Sequence, residues 1–157
     1  QLKDIYYTEL QLIKSIPKMS EAATTDELKE AFEDHLHETQ KQKKRLDKIF
    51  QMMGKSAEGK KCEAIEGIIK EVEEIISETE AGTMTRDAAL IMAAQKVEHY
   101  EIATYGGLVQ LALTMGKYEI ADMLDKTLFE EEDADCLLTE IAEEFINMEA
   151  EMELTTA

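Results

Sequence analysis

The chain predicts an all-α protein built as a bundle of five helices, and three observations carry that prediction. One proline and seven glycines are spread over 157 residues, so long stretches run without a helix breaker. Ala, Leu, Ile, Met, Glu and Lys dominate, which are the residues that lose least on entering a helix. In five successive segments the apolar residues recur at steps of three and four, the period of a helix with one buried face. Apolar residues make up 44% and charged residues 33%, as expected of a soluble folded protein. The length predicts a single domain, residues 1–157, with room for a sizeable core.

The first helix is predicted from Leu2 to Met19, with Leu2, Ile5, Leu12, Ile16 and Met19 on one stripe and Pro17 bending or ending its last turn. Thr24 or Thr25 caps a second helix, which turns Leu28, Phe32, His35, Thr39, Gln42, Leu46, Ile49 and Met53 inward and stops at Gly54. A third helix, about Glu58 to Ala81, carries Cys62, Ile65, Ile69, Val72 and Ile76 with no charged interruption. Gly82-Thr83-Met84-Thr85 is a turn, and Thr85 caps a fourth helix reaching about Met115. Its stripe is Leu90, Ala94, Val97, Glu101, Tyr105, Leu108, Ala112 and Met115; Gly106-Gly107 weakens it locally. A fifth helix runs from near Tyr118 to about Glu153, with Ile120, Leu124, Leu128, Glu131, Asp135, Leu138, Ala142 and Phe145 inward.

Acids interrupt these stripes. Glu9, Glu101, Glu131 and Asp135 occupy steps otherwise filled by apolar residues, and His35 and Gln42 do so on the second helix with Glu38 beside them. A buried carboxylate is costly unless it is paired, protonated or bound to a metal. His35 with Glu38, and Glu98 with Glu101, stand at i and i+3 and share a helix face. Counted from the turns that join the helices, Glu9, Glu38, Glu101 and Glu131 lie at one depth. A single acid on a stripe is more often partly exposed or in a salt bridge than a ligand; four helices at one level point to a cation. In bundles that hold two metal ions, two helices each give a carboxylate and the other two each give Glu-x-x-His. Here Lys41 follows Glu38 and Ala134 follows Glu131 at that spacing, so the pattern is incomplete and the site oxygen-rich. Carboxylates suit iron first and manganese second, as one or two ions. His37 and His99, each about 200° from an inward residue, are expected to face solvent.

Other functions are excluded or weak. A net charge of −18, from 35 acids and 17 bases, argues against nucleic acid. The basic run Lys41, Lys43, Lys44 and Arg45 reads as a solvated helix face. Phosphate loops and CxxC pairs are missing from the sequence. Tyr6, Tyr7, Tyr100 and Tyr105 near the acids read as packing residues. Cys62 and Cys136 read as reduced core thiols of a cytoplasmic protein, and no apolar run reaches membrane length.

Several segments resemble the YciE/YciF-type bacterial proteins. They are Asp4-Ile-Tyr-Tyr-Thr-Glu9, His35-Leu-His-Glu-Thr39, Arg86-Asp-Ala-Ala-Leu90, Glu98-His-Tyr-Glu-Ile-Ala103 and Leu128-Phe-Glu-Glu131, and together they extend the likeness over the whole chain. The resemblance implies a ferritin-like fold of four core helices with an extra helix in the long crossover, paired as a homodimer. It also implies an association with bacterial stress responses and an architecture similar to rubrerythrins and other di-iron carboxylate proteins. The positions it carries over as metal ligands are Glu9, His35, Glu38, Glu98, Glu101 and Glu131, with Asp135 as an additional candidate. The expectation is therefore a metal-binding protein that handles oxygen or peroxide. The alternative is a structural or interaction module whose bundle core has lost its metal.

Overall fold

A computed structural model describes residues 1–156, with side-chain surroundings through residue 153. Helices α1 (Leu2–Ala22) and α2 (Asp26–Met52) form one hairpin, and α4 (Met84–Thr114) and α5 (Tyr118–Ile141) form another. Between the hairpins runs a long crossover that contains α3 (Glu63–Glu78). Past α5 the chain makes one wide π turn at Ala142–Ile146 and continues as α6 (Asn147–Thr156). Besides the two hairpins, α2 packs on α5 and α1 on α4, closing a four-helix bundle, while α3 lies against α1 and α4. This is the ferritin-like arrangement.

Local chemistry sets the ends. Thr25 caps α2 by accepting from Leu28 N at 3.4 Å, and Gly54 beyond the helix takes φ +65°. α1 runs five residues past Pro17, because the ring removes a single rung without stopping the helix. α3 starts at Glu63, later than the predicted start at about Glu58. The residues before it are held instead by tertiary contacts: Lys60 N donates to Lys3 O at 2.8 Å. A Cβ on Gly59 would come within 3.0 Å of Tyr7 Cβ. The cap of α4 is Thr83, accepting from Arg86 N at 3.2 Å, and not Thr85. Thr85 instead donates its amide and hydroxyl to Glu153 of α6, each at 2.9 Å. Gly106 and Gly107 leave α4 unbroken, and a Cβ at Gly106 would make only ordinary contact with Leu128.

The core falls into two apolar clusters. One contains Leu12, Ile16, Phe32, Ile65, Leu90, Val97 and Leu138. The other contains Ile5, Leu46, Ile49, Phe50, Tyr105, Leu108 and Leu124. α3 contributes only to the first, through Ile65 and Val72, with Cys62 just before the helix in the same cluster. Cys136 departs from the reading above: it is exposed, whereas Cys62 is buried. Among the described residues, no helix is long and apolar enough to cross a membrane.

Candidate metal centre

Between the two clusters lies a polar layer, and every core helix changes from one cluster to the other across it. On α1 the order is Ile5, Glu9, Leu12; on α2 it is Phe32, His35, Thr39, Gln42, Leu46; on α4 it is Val97, Glu98, Glu101, Tyr105; on α5 it is Leu124, Thr127, Glu131, Leu138. Glu9 and Glu131 are fully buried, and Glu98 and Glu101 are nearly so.

Ligand-type atoms of His35, Glu98, Glu101 and Glu131 all lie within 4.8 Å of one another. His35 Nε2 is 3.3 Å from Glu98 Oε1, without the alignment of a hydrogen bond. Around this group the outer oxygens are tied. Gln42 Nε2 donates to Glu131 Oε1 and, at 3.3 Å, to Glu130 Oε2. Tyr105 donates its phenol to Glu9 Oε1. Other atoms of the layer are not tied: Glu9 Oε2, both nitrogens of His35, Gln42 Oε1, Glu98 Oε2, Glu101 Oε1 and Glu131 Oε2 are buried and have no hydrogen-bond partner. Buried polar atoms are ordinarily satisfied, so seven unpaired atoms in one layer set it apart from the rest of the core.

Electrostatics follow from the same geometry. Burial, and then the neighbouring Glu131 charge, push the carboxyls of Glu9, Glu98 and Glu101 well above the usual range. Burial raises Glu131 to about 7, although hydrogen bonds from Glu98 and Gln42 work the other way. Burial lowers His35 to about 4, so its ring is neutral and keeps a lone pair. The Tyr105 phenol is also raised, by burial first and then by Glu9 and Glu101.

The candidate residues are thus brought together unequally. His35, Glu98, Glu101 and Glu131 form the tight group, and Glu9 is buried in the same layer. Glu38 is half-buried on the surface side, its carboxyl raised by burial and by Glu130. Asp135 stands outside the tight group, accepting from Gln95 Nε2 at 3.2 Å and 3.2 Å from His99 Nε2. His99 is exposed, as its angle on the helix predicts. Three neighbours were not assigned to the site from sequence. Gln42 and Tyr105 stand on the stripes, where the sequence marks them only as inward polar and packing residues. Arg45 was read as solvated, yet its long stem carries the guanidinium inward. It donates to Thr127 Oγ1 and to both oxygens of Glu130, at 2.8 and 2.9 Å. Burial opposes ionisation of Glu130, but Arg45 prevails and holds that carboxyl low.

The bundle and its crossover helix define a ferritin-like all-α protein with a carboxylate-rich polar layer. More particularly, the chain belongs to the family described as domain of unknown function DUF892, whose profile matches residues 1–151. It is 43% identical to protein YciF of Escherichia coli K12 over 151 residues, covering 96% of this chain and 90% of that protein. The crystal structure of that E. coli stress protein superposes with a TM-score of 0.86 at 44% identity, covering 90% of this chain and 89% of the other. YcfI of Rhodopseudomonas palustris, described as a candidate structural protein, gives 0.85 at 44% identity, covering 88% and 87%.

Proposed function

We propose that this protein binds iron, with manganese as the second choice, as one or two ions held by His35, Glu98, Glu101 and Glu131 with Glu9 alongside. The observation that carries the reading is the set of seven buried, unpartnered polar atoms in the layer. Six belong to groups that ligate metals, five carboxylate and imidazole side chains in all, and the oxygen-rich donor set with one nitrogen suits iron or manganese. Bound iron would supply redox chemistry toward dioxygen or peroxide.

The chain's own residues have defined tasks in this reading. Gln42 orients Glu131 by holding Oε1, which leaves Oε2 turned to the centre; Tyr105 does the same for Glu9. Burial keeps His35 neutral and able to donate a lone pair. The two apolar clusters exclude bulk water from both ends of the layer. The stress association carried by the E. coli relative fits such a centre, and so does a homodimer, for which exposed Phe129, Leu137 and Met148 on α5 and α6 offer apolar surface.

Metal analysis of protein purified with iron, compared with Glu101→Ala and Glu131→Ala, tests the reading. Wild type should retain iron and each variant should lose most of it; equal content in all three would sink the site. If iron is retained, peroxide-dependent oxidation of the bound metal tests for turnover. A second reading, a structural module without metal, is favoured by one observation: burial raises the carboxyls of Glu98 and Glu131, so that they can hold protons in place of a metal.

A further inference from the structure

We propose that Arg45 is a positioning residue for the centre, acting through Glu130 and the Gln42 amide to fix which oxygen of Glu131 is left free. The purpose of this relay rests on the metal reading above, whereas the relay itself does not. Its outer end is anchored on α5: buried Thr127 and both oxygens of Glu130 accept from the Arg45 guanidinium. The side chains of Arg45 and Glu130 are only 13% and 18% exposed. Glu130 Oε2 accepts again, from Gln42 Nε2 at 3.3 Å, and the same nitrogen donates to Glu131 Oε1. Gln42 and Arg45 stand at i and i+3 on α2, and Glu130 and Glu131 are adjacent on α5, so one network bridges the seam between these helices.

Each link has one favoured orientation. An amide nitrogen carries two hydrogens, and here two carboxylate oxygens receive them. Turned round, Gln42 would set its carbonyl oxygen against both carboxylates and leave two acceptors without a donor. That preference lasts only while Glu130 stays in place. A guanidinium fork holds a carboxylate in one plane, whereas an ammonium holds it at a point. With Gln42 so fixed, Glu131 Oε1 is occupied and Oε2 is buried without a partner. Stability is a poor account of the Arg45–Glu130 pair, because withdrawing two charges from water offsets most of their attraction. Charge alone is a poorer one, since a cation beside a cation site opposes binding. What remains is where Arg45 puts Glu130.

Anaerobic affinity for ferrous iron, measured on the whole chain by competition with a chelator, separates position from charge. If charge alone acts, Arg45→Met should bind iron more tightly than wild type. Positioning has the opposite sign and predicts a loss of about tenfold, the usual effect of removing an outer hydrogen-bond partner. Arg45→Lys keeps the charge without the fork and should also lose affinity. Affinity equal to or above that of wild type in either variant overturns the proposal. A second readout needs no metal. In chelator-treated protein the side-chain NH2 hydrogens of Gln42 should exchange with water more slowly than those of exposed Gln51 and Gln110. In both variants that exchange should quicken at least about threefold, while the backbone amides of Leu46 and Leu124 keep their wild-type rates. Equal loosening of Leu46 and Leu124 overturns the proposal, because the pair would then be a helix clasp and no more. Should Arg45→Met unfold, Arg45→Lys carries both readouts. Faster Gln42 exchange in variants of a chain that binds no iron keeps the relay and overturns the metal reading; unchanged exchange in a chain that binds iron does the reverse.

Discussion

Replacing Glu131 by Leu separates the two states the polar layer can adopt. In metal-free protein the change removes a desolvated acid of similar size and should raise stability by about 1–3 kcal/mol, seen as an increase of a few degrees in Tm. With iron present the order should reverse, since only wild type gains from the ligand. Acidity gives a second prediction. The inward carboxyls have folded values above their ordinary 4.5, so their contribution is fully present below 4.5 and is lost as pH rises, through about 7 for Glu131. His35, lowered from 6.5 to about 4, acts oppositely and loses its contribution as pH falls from 6.5. Several acids outweigh one imidazole, so the Tm of chelator-treated protein should fall between pH 5.5 and pH 8. Iron affinity should rise over the same interval, because binding displaces protons. At this scale the sequence was informative about level but not about reach. Periodicity puts Gln42 on the α2 stripe with Glu38 beside it, and burial follows that order, but no local pattern shows that Gln42 holds Glu131. Glu131 and Asp135 are one turn apart, yet the 40° surplus of four residues over a turn carries Asp135 to the flank. Arg45 crosses to α5 by a long flexible stem, a contact that no local pattern encodes.

The ends of the helices are joined by carboxylates rather than by apolar contact alone. Asp87, fully buried at the start of α4, accepts from Thr24 N at 2.7 Å, Thr25 N at 2.8 Å and Thr25 Oγ1 at 2.9 Å. It thereby ties the first turn of α2 to α4. Asp87→Asn keeps the shape but replaces one accepting oxygen with a donor, which then faces another donor or abandons one pair. We expect a loss of about 1–3 kcal/mol, read as a lower denaturant midpoint with an unchanged slope. Glu153 forms a comparable clasp between α6 and the same end of α4, accepting from Met84 N at 2.8 Å and from Thr85. All five predicted helices are present because their stripes are long and strongly periodic. The start of α3 is not legible locally, because Glu58, Lys60 and Lys61 are acceptable helix residues, whereas Gly59 against Tyr7 and the Lys60–Lys3 backbone pair are contacts distant in sequence. The absence of an inward acid on α3 has a structural reason: this helix packs on one cluster only and never crosses the polar layer.

For the molecule as a whole, a charge of −18 means that folding gathers many like charges into a small volume. Raising sodium chloride from 10 mM to about 300 mM, which shortens the screening length several-fold, should increase the Tm of chelator-treated protein. The increase should be smaller once iron neutralises part of the buried charge. Fold class was readable from composition and period together. The assembly of the site was only partly so, because it depends on which neighbours meet across the bundle.

The polar layer has one more consequence, for the way the four helices find their level. Leu, Ile and Val faces are nearly interchangeable, so an apolar bundle can slide by a turn and still bury its surface. Here a slide of any one helix would press Glu9, His35, Glu101 or Glu131 against aliphatic side chains and leave its former neighbours facing a methyl group. Each helix therefore carries a single mark at which it fits, and the same residues that would hold an ion also serve as a ruler for assembly.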